Sequence, residues 1–130
     1  MPRRRTVTPA MVHKWRKRLR LSEADGWDIL VVLVAGEDLD NPDRGEYYYG
    51  RCRADRSRRQ AFIVLRDPNR WGEYEFGAPE PVVIELILIH ELLHCIIPGW
   101  GERTETKVEA LSNALYETEF DQRARKRAKK

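Results

Sequence analysis

Between Glu80 and Pro98 the chain reads EPVVIELILIHELLHCIIP. Pro81 suits a first helical turn, where its missing N–H is not needed, and Pro98-Gly99 stops the helix. Val82, Val83, Ile84, Leu86, Ile87, Leu88, Ile89, Leu92, Leu93, Ile96 and Ile97 cover nearly every face. A helix that is apolar all round has to be enclosed by the rest of its chain. It is not a membrane span: that takes about 20 apolar residues, and this shorter run carries Glu85, His90, Glu91 and His94.

Charge inside such a helix is costly unless it is paired or ligated. His90-Glu91-Leu92-Leu93-His94 forms an H-E-x-x-H motif. Positions i and i+4 lie one above the other on a helix, so His90 and His94 present imidazoles to one ion. Glu91 sits about 100° further round, beside the ion without being a ligand. Two histidines and an adjacent carboxylate are the layout of a hydrolytic zinc site. The bland alternative is a core helix whose histidines hydrogen-bond to neighbours.

A catalytic zinc takes three protein ligands and leaves one position open. His13 is the only other histidine, far upstream on a basic segment, which leaves a carboxylate as third ligand. Glu109, fifteen residues after His94 on a second helix reached by a short loop, is the first candidate. Glu105 and Glu102 are its rivals. Glu105, Glu109, Asn113 and Tyr116 share one helical face away from Leu111 and Leu115, as a merely solvated polar face also would.

The stretch IHELLHCI resembles the active-site helix of the zincin metallopeptidases, with a convincing match of about ten residues and a looser one running to Phe120. The resemblance implies that His90 and His94 bind zinc and that Glu91 is the general base. The metzincin extension is absent, since Ile97 and Trp100 stand where its glycine and third histidine would be. The downstream histidine usual in SprT-like proteases is missing too. Glu109-Ala110-Leu111-Ser112-Asn113-Ala114 is similar to the glutamate helix of gluzincins, in which small residues let the two helices approach. It also looks like the small proteases of the ImmA/IrrE type and the minigluzincins. Asn113, one turn after Glu109, is placed to contact a metal ligand, although larger gluzincins carry an acid there.

With 130 residues, 35% charged and 42% hydrophobic, the chain is expected to form a single domain, residues 1–130. Cys52 and Cys95 make no disulfide framework, and Cys95 reads as a small core residue. No apolar signal region follows the N-terminal arginines, so a reducing cytoplasm is the expected compartment. The net charge of +3 is unevenly spread: residues 1–20 hold eight Lys/Arg and no acid, and residues 121–130 hold six with one acid. Residues 1–7 read as a basic arm and 121–130 as a basic tail that extends a helix or frays.

Thr8 and Pro9 open an amphipathic helix with Met11, Trp15 and Leu19 on one face. Trp27–Ala35 reads as an inner strand, Gly36–Gly45 as a solvated hairpin connection, Tyr47–Ala54 and Arg59–Arg66 as two further strands. A loop over 67–80 carries Trp71, Tyr74 and Phe76. After the metal helix, Thr104–Phe120 forms a helix with Val108, Leu111 and Leu115 as its core stripe. The expected fold is therefore α+β and zincin-like: a sheet of three or slightly more strands packed with an N-terminal helix, a buried H-E-x-x-H helix and a C-terminal glutamate helix.

The expected function is zinc-dependent hydrolysis of a peptide or protein substrate. Zinc lowers the pKa of water towards about 7, and Glu91 takes its proton. Tyr116 and Tyr74 are candidates for stabilising the oxyanion, and the strand Arg59–Arg66 for holding the peptide by main-chain pairing. The alternative is a non-enzymatic zinc-containing protein, either regulatory or associated with nucleic acid through its basic termini without sequence preference.

Overall fold

The computed structural model describes residues 6–44, 48–70, 81–99 and 101–128. In chain order these form α1 (Pro9–Arg18), β1 (Asp28–Val34), β2 (Gly50–Asp55), β3 (Gln60–Arg66), α2 (Pro81–Leu93) and α3 (Glu102–Ala128). The class is α+β, with one three-stranded sheet and three α-helices among the described residues. Trp71, Tyr74, Phe76, Tyr47 and Trp100 lie outside the described residues, as does most of the N-terminal arm.

The strands run in the order β1-β3-β2. β3 is central, parallel to β1 and antiparallel to β2. This corrects two expectations. The segment after β1 is not a hairpin connection, because β1 and β2 occupy opposite edges of the sheet; it contains two 3-10 turns, Gly36–Asp38 and Pro42–Arg44. Nor is β3 free to hold a peptide, since both of its sides are already hydrogen-bonded to neighbours. The buried guanidinium of Arg66 fixes the long connection, its Nη2 donating to Asp40 Oδ2 at 2.8 Å.

Alternation along the strands sends Ile29, Cys52, Ala61, Ile63 and Leu65 into the core. There they meet α2, whose Leu88, Ile89 and Leu92 are fully buried. Burying each such side chain contributes about 1.5–3 kcal/mol. Trp15 of α1 and Val108 of α3 complete the enclosure. Thr8 caps α1 as expected, its Oγ1 accepting from Met11 N.

α3 departs from the expected stripe. Val108 is buried and Leu115 half-buried, but Leu111 is 41% exposed, whereas Ser112 and Glu119 are buried. The reason is an ionic cluster joining all three helices. Glu85 of α2 accepts from Trp15 Nε1 at 2.7 Å, Lys14 Nζ at 3.0 Å and Arg123 Nη2 at 3.1 Å. Glu119 pairs with Lys14, Arg18 and Arg123. The two basic ends of the sequence thus meet around two buried carboxylates, and α3 continues as helix to Ala128. No described helix is long and apolar enough to cross a membrane.

Burial pushes the carboxyls of Glu85 and Glu119 up, but the hydrogen bonds and charges of Trp15, Lys14, Arg18 and Arg123 outweigh it and hold both below the ordinary range. A depressed folded-state pKa contributes stability that is present above the unfolded value, near 4.5, and is lost as pH falls through the folded one. Glu85→Ala leaves the buried indole N–H of Trp15 without its acceptor and the partly exposed Lys14 and Arg123 without this partner, and should cost about 1–3 kcal/mol. Denaturant unfolding from pH 7 to 3 should show wild-type stability falling through the acid range, with a shallower fall in the variant.

Candidate metal centre

His90 lies in the last full turn of α2, and His94 follows in a tightened turn. There His94 N, Cys95 N and Ile96 N donate to Glu91 O, Leu92 O and Leu93 O, three residues back. Such a helix end leaves carbonyls without intrahelical partners. Arg56, from the turn between β2 and β3, satisfies two of them: its Nη2 donates to His94 O at 2.6 Å and Ile97 O at 3.0 Å. The backbone of His94 is thereby tied to the β2–β3 hairpin. Local sequence gives no signal for this long-range cap.

His90 Nε2 and His94 Nε2 face each other at 3.3 Å. Glu105 Oε2 stands 2.9 Å from His90 Nε2, and Glu105 Oε1 stands 3.0 Å from His94 Nε2. The ligand atoms of these three residues lie within 4.8 Å of one another. Zinc–nitrogen bonds of about 2.0–2.1 Å in a tetrahedron separate two ligand nitrogens by roughly 3.3 Å. The donor set and its spacing therefore fit a zinc ion with three protein ligands.

Glu109, the expected third ligand, lines the same cavity but stands outside this cluster. It lies one helical turn, about 6 Å, beyond Glu105. Gly99 and Gly101 take φ of 102° and 115°, a region open to glycine at little cost. The first turn of α3, which follows Gly101, carries the carboxylate that meets the histidines. Glu102 begins α3 outside the cluster, and His13 is exposed on α1. Asn113 lines the cavity, whereas Tyr116 packs against the core and Tyr74 lies outside the described residues.

Glu91 is buried, and its Oε2 has no hydrogen-bond partner among the described residues. Burial pushes its carboxyl up to about 8, with Cys52 and Glu105 adding and Arg51 opposing. Gly50 of β2 makes the room: a Cβ there would lie 3.0 Å from Leu65 Cδ2 and Val64 O and 3.1 Å from Glu91 Cγ. Burial also holds the His94 imidazole below its ordinary value, against the pull of Glu105. A neutral imidazole is the form that binds metal. Cys95, beside His94, is buried against Cys52 with their sulfurs 3.9 Å apart.

These groups border a cavity of about 1000 Å³, with α2 contributing His90, Glu91 and His94, α3 contributing Glu105 and Glu109, and β2 running alongside. Comparison of the chain with protein-family models, curated proteins and solved structures gives no match.

If the cluster is a zinc site, protein prepared with zinc should hold one ion per chain. His90→Ala and Glu105→Ala should each lose it on dialysis, while Glu109→Ala should keep it. Elemental analysis decides, and loss in Glu109→Ala with retention in Glu105→Ala would reassign the third ligand. Zinc at one hundred times its Kd should also stabilise the fold by about 2.7 kcal/mol.

Proposed function

We propose that this chain is a zinc-dependent peptidase in which His90, His94 and Glu105 hold the ion and Glu91 is the general base. The observation that carries this is a buried carboxylate, one of whose oxygens has no hydrogen-bond partner among the described residues, beside a cluster of three possible ligands that borders a cavity. A structural zinc is closed by four protein ligands, whereas a catalytic one keeps a position open. Zinc in this place supplies Lewis acidity, making water nucleophilic near neutral pH and polarising a carbonyl.

The protein's own groups do the rest. Glu91 acts in its ionised form: a cation held by the histidines would draw its carboxyl down from the value of about 8 that burial gives it, and it would then take the proton of the attacking water and pass it to the departing amine. Its burial keeps bulk water from competing for that proton. Gly50 lets β2 pass within van der Waals reach of the base. β2 is an edge strand with one side unpaired among the described residues, so a peptide laid along it acquires main-chain hydrogen bonds and a fixed distance from Glu91. β2 therefore takes the peptide-holding part first expected of β3.

Glu91→Gln keeps size and packing but cannot accept the proton. It should lower turnover of a peptide library by about 10²–10⁴-fold at unchanged zinc content. A chelator should remove wild-type activity and added zinc restore it. Cleavage by the variant at the wild-type rate would sink the mechanism.

A further inference from the structure

Along β2 the side chains alternate: Cys52 is buried, while Arg51 and Arg53 are exposed. The two arginines therefore stand on the outer face of the sheet, two residues apart and roughly 7 Å from each other. Their neighbours in register on β3 are Val64 and Phe62, and Phe62 is 43% exposed. The Arg51 guanidinium lies 5.0 Å from the centre of the Tyr48 ring. Neither arginine enters an ion pair among the described residues, unlike Arg66, Arg70 and Arg123. Both border the cavity that holds His90 and Glu91.

The ladder determines what a guest strand would meet. Arg66 N donates to Tyr49 O at 2.8 Å. In an antiparallel pair hydrogen-bonded positions alternate, so the main-chain groups of Arg51 and Arg53 face β3, and those of Gly50, Cys52 and Ala54 face the edge that is unpaired among the described residues. A segment pairing with that edge uses these three residues for its hydrogen bonds. Its side chains opposite Arg51 and Arg53 then emerge on the outer face, in direct cross-strand contact with the two guanidinium groups. The intervening side chains turn towards α2 and α3, where Glu105 and Glu109 border the cavity.

We infer that the substrate of this cleft is a peptide segment carrying Asp or Glu at two positions two residues apart, read by Arg51 and Arg53, with a non-acidic residue between them. The inference rests on the peptidase function proposed above. It accounts for two cations displayed on the outer face of the edge strand, neither of them in an ion pair among the described residues. It also gives the cleft two unlike walls, basic on β2 and acidic on α3.

The test uses the full chain loaded with zinc and peptide pools in which one position at a time is fixed as Glu, Ser or Lys. Wild type should prefer Glu over Lys at two positions spaced by one residue, by about fivefold for each arginine in kcat/KM, and should not prefer Glu between them. Arg51→Ser with Arg53→Ser should erase the preference, and Arg51→Glu with Arg53→Glu should reverse it. Cleavage with no alternating preference, or a preference that survives both double variants, overturns the inference and leaves the peptidase function standing. If no pool is cleaved, that function fails, and fluorescence anisotropy with zinc-loaded Glu91→Gln protein decides the inference separately. Tighter binding of Glu-Ala-Glu than Lys-Ala-Lys peptides, lost in the serine double variant, supports it; equal binding overturns it.

Discussion

The structure depends on hiding a helix that has no polar side. α2 presents aliphatic side chains in every direction, and one layer cannot cover it. The sheet takes one flank, while Trp15 and Val108 close against the others. What polarity α2 does carry is then forced into contact with its wrapping. Glu85 accepts from the indole of α1 and the guanidinium of α3, so the enclosing helices are oriented by a charge, and dispersion fills in around it. Hydrophobic burial supplies most of the favourable energy, but it is non-directional, and the ionic cluster sets the angle at which α3 lies.

That angle matters at the other end of the same helix. α3 is anchored near its C-terminal part by Glu119 and Arg123 and begins at two glycines with positive φ. Between these supports Glu105 reaches both imidazoles while Leu111 is left exposed. A single helix thus serves as a core element, a partner to the basic N-terminal helix and the carrier of the carboxylate beside the two imidazoles. Glu91 is the buried acid of the site, and the desolvation of its Oε2 is a cost that no hydrogen bond among the described residues offsets. Groups held in that condition are found where chemistry is done.

Much of this could be read from the chain because it is local. The i, i+4 spacing of His90 and His94, the proline and glycine bounding α2, and the β-branched runs of the strands all act over a few residues. The three strands and three helices were legible in their order for that reason. Strand pairing is not local, so nothing in Arg59–Arg66 announced that it would lie in the middle of the sheet. Which acid of α3 would stand at the histidines was equally out of reach: Glu105 and Glu109 share one helical face, and only the packing of α3 on α2 puts Glu105 beside them. Leu111 looked like core because hydrophobicity says so one residue at a time, whereas the helix buries Glu119. Their exchange needs Lys14 and Arg18, about a hundred positions away. Gly50 and Arg56 gave no signal, since each matters only through what the fold brings against it.

Arg56 has a mechanical consequence. It grows from the turn that ends β2, yet it grips the carbonyls of His94 and Ile97. The hairpin and the end of α2 are therefore one lever, with a guanidinium as its pivot. A load applied along the outer strand is transmitted to the backbone that aims an imidazole, and a shift of that imidazole pulls on the strand in return.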